Sequence, residues 1–230
     1  MLGDVVAVRS IERLNANVRS LHGHYRPGRI RAETYEAIVE DILTAVRSER
    51  NICVALYGHP GVFAQPAHEA IVCARAEGYS ARMLPAVSAE DCLFADLGVD
   101  PGATGCQSYE ATDFLMRQRR IDTSAALVLW QVGVVGNLTY APEGDASRLP
   151  VLVDYLCTLY PPEHEVALYE ASPFPGCGPI VERPLLADVA RSKMSPATTM
   201  YVPPLGARTI DVEMMRRLDL AGDSGAGGNA

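Results

Sequence analysis

The sequence predicts an α/β protein, and three observations lead to this prediction. Apolar runs of strand length alternate with segments in which apolar residues recur at helical spacing. The run at 125–132 is the clearest strand signal, and residues 33–48 have the pattern of an amphipathic helix. Strands of the first half are apolar throughout, which is typical of a parallel sheet. Those of the second half are more exposed and accompanied by prolines, which favours a mixed sheet there.

Local signals define the individual elements. The predicted strands are residues 4–8, 52–56, 81–84, 125–132, 166–169 and 198–202. The predicted helices are residues 33–48, 66–78, 88–97, 148–160 and 212–218. Pro66 suits the first turn of its helix and Gly78 its end. Ser88, followed three residues later by Asp91, forms a variant of the capping box that begins a helix.

Composition argues against several classes of function. The chain has 230 residues, a net charge of −8 and a pI near 5.1, so nucleic acids and anionic membranes are poor partners. We find neither a signal peptide nor an apolar run of membrane-spanning length. Six cysteines are scattered without a Cys-x-x-Cys motif, which predicts buried thiols in a reducing cytoplasm and no zinc site.

Two turns direct attention to a ligand site. Residues 57–63, Tyr-Gly-His-Pro-Gly-Val-Phe, follow the predicted strand 52–56, and the helix start at Ser88 follows the predicted strand 81–84. Open α/β sheets bind ligands at the carboxyl ends of neighbouring strands, where glycine allows close approach and a helix start offers free N–H groups. The alternatives are a tight turn with an incidental histidine and an ordinary capped helix.

The segment 22–35 is rich in side chains that can take part in catalysis. It holds two histidines, three arginines and two tyrosines, and a cation close to a tyrosine lowers the pKa of the phenol. His22 and His24 form a His-x-His pair, but no carboxylate or cysteine lies close in sequence, so a solvated loop is favoured over a metal site.

Several motifs together resemble a known family. They are residues 57–63, residues 77–85 (Glu-Gly-Tyr-Ser-Ala-Arg-Met-Leu-Pro) and residues 88–97 (Ser-Ala-Glu-Asp-Cys-Leu-Phe-Ala-Asp-Leu). Further matches lie at 100–101, 107–114, 129–133, 164–166 and 201–204. The set is similar to the borosin peptide α-N-methyltransferases, a branch of the tetrapyrrole methylase superfamily. The similarity extends over about residues 4–220.

The resemblance implies a two-domain tetrapyrrole-methylase-like α/β fold, with a mostly parallel N-terminal sheet and a mixed C-terminal sheet. We expect an N-terminal domain at 1–118, a C-terminal domain at 119–220 and a disordered tail at 221–230. The resemblance also implies S-adenosylmethionine as methyl donor, a homodimer, and methylation of backbone amide nitrogens. Because residues 220–230 are short and polar, we expect the peptide substrate to be a separate precursor chain.

The resemblance also implies the site residues. The family's catalytic cluster falls on Tyr25, Arg31, Tyr35 and Tyr57, and His22 stands where the family has another tyrosine. The positions implied for S-adenosylmethionine are Tyr57, His59, Val62, Phe63, Ser88, Ala89, Gln131 and Thr199. No metal is implied.

One departure from the family pattern leaves other hypotheses open. A Gly-rich first strand precedes the position of Asp4 in the family and is not in this sequence. The chain could therefore be a non-catalytic relative that binds a peptide or an intact methyltransferase subunit. A methyltransferase for tetrapyrroles or other small molecules is a further alternative, disfavoured because His59 replaces the aspartate usual in those enzymes.

Overall fold

The computed structural model describes residues 5–48, 51–174, 176–206 and 208–220. Within these ranges one sheet has five strands: β1 (Cys106–Glu110), β2 (Ala126–Trp130), β3 (Ala167–Glu170), β4 (Ile180–Glu182) and β5 (Thr199–Val202). Their order is β1-β2-β5-β3-β4. β1 and β2 are parallel and the other pairs antiparallel, so the predicted mixed C-terminal sheet is confirmed.

Helices surround this sheet and form the N-terminal part of the chain. The α-helices are α1 (Val5–Leu14), α2 (Arg31–Ser48), α3 (Gln65–Ala76), α4 (Ala89–Leu97), α5 (Pro101–Thr104), α6 (Ala111–Met116), α7 (Leu149–Leu156) and α8 (Val212–Arg217). Short 3₁₀ helices lie at His22–His24, Val132–Val134 and Leu186–Arg191. No described helix combines the length and the hydropathy needed to span a bilayer.

The centre of the fold is β2, whose five residues are all buried. Leu127 and Leu129 pack into a large apolar cluster with α6 and α7. Val128 and Trp130 pack on the opposite face, against Leu93 of α4. Burial on both faces explains why this strand is apolar throughout and why its sequence signal is the strongest in the chain.

Helices α2 and α3 form a separate apolar cluster. Ile38 and Ile42 of α2 pack against Ala70 and Ala74 of α3, where the small alanine side chains permit close approach. The apolar positions of α2 recur every three to four residues, so the helix predicted at 33–48 is confirmed. The predicted helices at 66–78, 88–97, 148–160 and 212–218 are confirmed within a few residues at each end.

The predicted parallel N-terminal sheet is wrong for the described residues. Residues 52–56 and 81–84 belong to no helix or strand, and residues 5–8 begin α1. A strand forms only when its backbone groups pair with a neighbour, and no described segment pairs with 52–56 or 81–84. Residues 5–8 are helical because Val5, Val8 and Ile11 follow the helical period.

Two strands of the sheet have weak sequence signals and were not predicted. β1 carries polar residues, and β4 is three exposed residues at the sheet edge. β1 and α6 precede residue 118 and yet pack with the strands that follow it. The division into domains at 1–118 and 119–220 stays a prediction, and the predicted tail at 221–230 lies outside the described residues.

The cysteines are less buried than predicted. Cys53 and Cys177 are exposed, the other four are half-buried, and all six are free. Cys53 is exposed because it lies in the unpaired segment 51–57, and Cys177 because it lies in a loop. Partial burial raises the pKa of the Cys106 thiol to about 11, which keeps it protonated and unreactive at neutral pH.

We expect Leu129→Ala to lower the free energy of unfolding by about 2–5 kcal/mol, because it opens a cavity in the fully buried centre of β2. Urea unfolding monitored by circular dichroism measures this. Val151→Ala, at an exposed position on α7, is the matched control and should change the same quantity by less than about 0.5 kcal/mol. Equal effects of the two variants would contradict the assignment of β2 as the core.

Candidate active site

A short antiparallel pairing joins the loop before α2 to the loop after β2. Ile30 and Thr139 form an isolated β-bridge between the segments 28–31 and 137–140. Three backbone hydrogen bonds of 2.9–3.0 Å accompany it: from Gly28 N–H to the Tyr140 carbonyl, from Tyr140 N–H to the Arg29 carbonyl, and from Arg31 N–H to the Leu138 carbonyl. The polar segment 22–35, predicted as a site from its composition, is thereby fixed to the end of β2.

Arg31 is held firmly by its side chain as well. Its Nη1 donates to Gln131 Oε1 at 2.8 Å, and its Nη2 donates to the Asn137 carbonyl at 2.5 Å. Within the described part of the chain no carboxylate lies within ion-pair distance of this guanidinium. A guanidinium has five N–H donors, so Arg31 is a fixed positive charge with donors left for a ligand.

Three tyrosines surround Tyr25. Tyr140 packs against it with ring centroids 5.3 Å apart, and the phenols of Tyr35 and Tyr57 interact with it electrostatically. Burial, followed by the neighbouring phenols, raises the pKa of Tyr25 well above its ordinary value. The structure therefore brings together Tyr25, Arg31, Tyr35 and Tyr57, as the sequence resemblance implied.

The expectation that an arginine lowers a tyrosine pKa is wrong in its net direction. Burial raises the pKa of Tyr35, and Glu110 and Tyr57 raise it further, while Arg31 lowers it by less than burial raises it. At neutral pH both Tyr25 and Tyr35 are therefore neutral phenols. They can donate hydrogen bonds to a developing negative charge but are not resting phenolates.

The two neighbouring histidines differ in their surroundings. His22 is exposed, and its ring centroid lies 6.0 Å from that of Tyr25. His24 instead contacts Asp41 through Nε2 at 2.9 Å, and Arg19 contacts the other oxygen of the same carboxylate. A search of the described residues finds no cluster of three or more His, Cys, Asp or Glu that could hold a metal ion.

Residues 57–63 reach the carboxyl end of β2. The Phe63 ring packs on Trp130 with centroids 4.7 Å apart, and Phe63 adopts a left-handed backbone with φ of 51°. Gly58 is also left-handed and lies against the backbone of Val87, just before α4. Phe63 adopts this conformation at the cost of backbone strain, and a residue with a side chain in place of Gly58 would be strained in the same way. The turn that carries Tyr57, His59 and Val62 therefore lies beside Ser88 and Gln131.

The hydroxyl of Ser88 is used for capping. It accepts a hydrogen bond from Asp91 N–H at 3.2 Å and donates to Asp91 Oδ2 at 2.7 Å, so the predicted capping box is confirmed. These hydrogen bonds lower the pKa of Asp91. Ligand binding at this helix start would therefore use the backbone N–H groups of residues 89–90 rather than the buried serine side chain.

Gln131 and Thr199 differ in their accessibility. Gln131 has a left-handed backbone, with φ of 59°, at the end of β2 and directs its amide oxygen to Arg31. Thr199 in β5 is 2% exposed. It lies close to the same end of β2, as shown by the hydrogen bond from Val132 N–H to the carbonyl of the neighbouring Thr198. Its side chain is too buried to contact a ligand, whereas Gln131 connects the two groups of implied site residues.

The neighbourhood of the 57–63 turn suits the cofactor that the resemblance implies. S-adenosylmethionine carries an aromatic adenine and a positively charged sulfonium, and the turn offers the exposed rings of Tyr57 and Phe63. The polar ribose and methionine groups need main-chain partners. The backbone of 84–87, which forms no backbone hydrogen bond with any described residue, and the N-terminus of α4 provide them. The residues present therefore fit this group.

Comparison with known proteins identifies the family. The family model for tetrapyrrole (corrin/porphyrin) methylases matches residues 3–172, about three quarters of the chain. The chain belongs to the tetrapyrrole methylase family. The uroporphyrin-III C-methyltransferase of Thermus thermophilus, solved with S-adenosylhomocysteine, shares the fold at a TM-score of 0.52 and 17% identity, with 73% of this chain and 72% of that one covered. The expected superfamily and α/β class are thus confirmed.

Other relatives of this tetrapyrrole methylase are more similar in sequence. A methyltransferase/ribosomally synthesized cyclic peptide dendrothelin A precursor from Dendrothele bispora is 40% identical over 89% of this chain and 50% of its own length. A type I borosin cyclic peptide precursor with the same methyltransferase designation, from Coprinopsis marcescibilis, is 40% identical over 92% of this chain and 56% of its own. The resemblance to borosins is thus confirmed, and the chain spans about half the length of these relatives.

Three residues of the site were not predicted from the sequence. Tyr140 packs on Tyr25, Asn137 holds Arg31 through its carbonyl, and Glu110 acts on Tyr35. Asn137 offered a weak local signal, because an asparagine two residues before a threonine is typical of a turn closed by its own side chain. That turn is present, with Asn137 Oδ1 accepting from Thr139 N–H at 2.8 Å.

We expect the folded protein to lose stability as the pH rises above about 10, where tyrosines of the unfolded chain ionise but Tyr25 and Tyr35 remain protonated. Below that pH both states are protonated and the contribution is fully present. Urea unfolding across this pH range should show that the free energy of unfolding falls less steeply with pH in Tyr25→Phe than in wild type. Tyr79→Phe, at an exposed position, is the control, and an identical pH dependence of all three proteins would contradict the burial of Tyr25.

Proposed function

We propose that this protein transfers methyl groups from S-adenosylmethionine to backbone amide nitrogens of a separate peptide. The observation that carries the proposal is Gln131, which belongs to the implied cofactor site and holds Arg31 of the implied catalytic cluster at 2.8 Å. This contact supports the proposal, because a transfer reaction between two bound molecules requires their sites to adjoin.

The chemistry explains why such a cluster is needed. The lone pair of an amide nitrogen is delocalised into its carbonyl, so the nitrogen attacks poorly until negative charge is stabilised on the oxygen. When bound, S-adenosylmethionine supplies an electrophilic methyl group on a positively charged sulfur. The enzyme must orient the amide towards this methyl group, stabilise its oxygen and accept the proton that leaves the nitrogen.

The residues of the cluster have roles that suit these demands. Arg31 and the neutral phenols of Tyr25 and Tyr35 donate hydrogen bonds to the amide oxygen, and the low polarity of a partly buried site strengthens these bonds. His22, 6.0 Å from Tyr25, is the proposed proton acceptor, because a neutral imidazole ring has a nitrogen lone pair that can accept a proton. Tyr57 connects this cluster to the turn at 57–63.

The donor is proposed to bind beside that turn. Phe63, packed on Trp130, is placed to contact the adenine, and His59 is fixed because its Nδ1 accepts from Gly61 N–H at 2.9 Å. Val62, the helix start at Ser88–Ala89 and the backbone of Gln131 complete the proposed donor site. Thr199 is proposed to support it from β5 without contact, since its side chain is buried.

The peptide is proposed to be a precursor chain supplied in trans. Relatives that are 40% identical carry the designation methyltransferase and the designation cyclic peptide precursor in one protein. The present chain matches about half of each, so the remainder of such a relative is a suitable substrate to offer as a separate molecule. The compartment is proposed to be the cytoplasm, in keeping with six free thiols.

A direct test offers donor and peptide together. The probe is the part of the Dendrothele bispora relative that lies outside its match to this chain, prepared as a separate polypeptide. We expect calorimetry to detect binding of S-adenosylmethionine and mass spectrometry to detect additions of one methyl mass, located by fragmentation on backbone nitrogens. Donor binding without any mass change would contradict the proposed reaction, and a lack of donor binding would contradict methyl transfer altogether.

The variant Arg31→Lys tests the role of the cluster in the same assay. Lysine keeps the charge but loses the planar fork that contacts Gln131 and Asn137, so we expect kcat to fall about 10²–10³-fold. Donor affinity should stay close to that of wild type. Arg191→Lys, at an exposed arginine paired with Asp188, is the matched control and should leave kcat unchanged.

One observation supports a second candidate function, a non-catalytic binding module. Residues 51–57 and 79–87 lie outside the described helices and strands and are largely exposed, and no backbone hydrogen bond joins them to a described strand. Exposed segments with unpaired backbone groups can bind a strand added from another chain. Tight binding of the polypeptide probe with no mass change would favour this alternative over the enzyme.

The same segments support the proposed homodimer. Residues 51–57 carry no charge, and Ile52 and Val54 are exposed, so a second copy that covers them would remove apolar surface from water. Sedimentation velocity should show a dimer for wild type and a monomer for Val54→Lys. Val72→Lys, on the exposed face of α3, should remain a dimer, and a monomeric wild type would contradict this proposal.

A further inference from the structure

We infer that Tyr140 is a positioning residue for the transfer reaction, one that holds the Tyr25 ring in its working orientation. The inference rests on the proposed function and adds a residue that the sequence comparison did not single out. Tyr140 lies more than one hundred residues from Tyr25 in the chain, and the two rings meet only because segments 28–31 and 137–140 pair.

The backbone of Tyr140 is fixed in both directions. Its N–H donates to the Arg29 carbonyl at 2.9 Å, and its carbonyl accepts from Gly28 N–H at 3.0 Å. Gly28 has a left-handed backbone, with φ of 77°, which a residue with a side chain adopts only with strain. The backbone that carries the Tyr140 ring is thus fixed relative to the loop by two hydrogen bonds and one turn.

The ring of Tyr140 packs directly on its target. The centroids of Tyr140 and Tyr25 are 5.3 Å apart with planes inclined at 58°, a tilted geometry that is favourable for aromatic pairs. Tyr25 follows the single-turn 3₁₀ helix His22–His24, which offers few restraints of its own. Tyr25 also packs against the apolar cluster of α2 and α3. Contact with Tyr140 adds a restraint from the segment 137–140 and so helps to orient the Tyr25 phenol.

The same segment fixes the second donor of the cluster. Asn137 accepts from Arg31 through its carbonyl, and its side-chain amide is held by Asp145 Oδ2 at 3.0 Å. One segment, 137–140, thus holds Arg31 at one end and Tyr25 at the other. The distance between the two donors to the amide oxygen depends on this segment, and displacement of about 1 Å in such a pair can cost about 10²-fold in rate.

Truncation of the Tyr140 ring should therefore affect the chemical step. With the Dendrothele bispora polypeptide as probe, we expect Tyr140→Ala to lower kcat about tenfold or more while donor affinity stays within about twofold. Tyr140→Phe keeps the ring and should retain kcat within about threefold. Tyr140→Leu preserves apolar packing and serves as a substitute if the alanine variant folds poorly. Its kcat should lie between those of Tyr140→Ala and Tyr140→Phe. Tyr79→Ala is the control at an exposed tyrosine and should match wild type.

A second readout does not need activity. Removing the Tyr140 ring exposes Tyr25, so the phenolate absorbance of Tyr25 should appear at lower pH in Tyr140→Ala than in wild type. To isolate Tyr25, the pH titration of phenolate absorbance is recorded for Tyr140→Ala and for the double variant Tyr140→Ala, Tyr25→Phe. The second curve is then subtracted from the first. The corresponding difference between wild type and Tyr25→Phe provides the reference.

Three results would overturn the inference. The first is an unchanged kcat in Tyr140→Ala. The second is a loss of kcat in Tyr140→Phe equal to that in Tyr140→Ala, which would assign the effect to the hydroxyl. The third is an unchanged pH titration of Tyr25 in Tyr140→Ala. A wild-type protein that transfers no methyl group would contradict the proposed function instead. In that case the titration alone decides whether Tyr140 positions Tyr25.

Discussion

The guanidinium of Arg31 is the group on which the candidate site depends. Its hydrogen bonds to Gln131 and to the Asn137 carbonyl join the polar loop before α2 to the carboxyl end of the most buried strand. Besides them, the loop is joined to the segment 137–140 by its short backbone pairing and by the packing of Tyr25 on Tyr140. Because no described carboxylate neutralises it, the same group that organises the site also carries the charge that its proposed chemistry needs.

Burial sets the protonation of the surrounding tyrosines and so limits their roles. A partly buried phenol is costly to ionise. Neighbouring phenols add to this cost at both Tyr25 and Tyr35, and Glu110 adds to it at Tyr35. Arg31 opposes the effect at Tyr35 but does not reverse it. The cluster is thus better suited to stabilising an oxygen anion during reaction than to removing a proton beforehand, which is why the proposal gives proton acceptance to His22.

Prediction from sequence succeeded where a segment's own residues determine its structure. Helices α2, α3 and α4 follow from apolar period, Pro66 and the Ser88–Asp91 cap, and β2 from an uninterrupted apolar run. It failed for residues 52–56 and 81–84, whose composition is that of strands. Strand formation needs a partner for the backbone, and the partner is a property of the whole fold.

The order of residues was sufficient to recognise the family, the α/β class, most helices and the candidate residues of the cluster. Tertiary structure alone decided that Tyr140 and Asn137 join them, that the Thr199 side chain is shielded, and that the Tyr25 phenol is neutral. The physical reason is the same in each case. Contacts across more than one hundred residues and the degree of burial depend on how elements pack together, and neither leaves a pattern in the local order of residues.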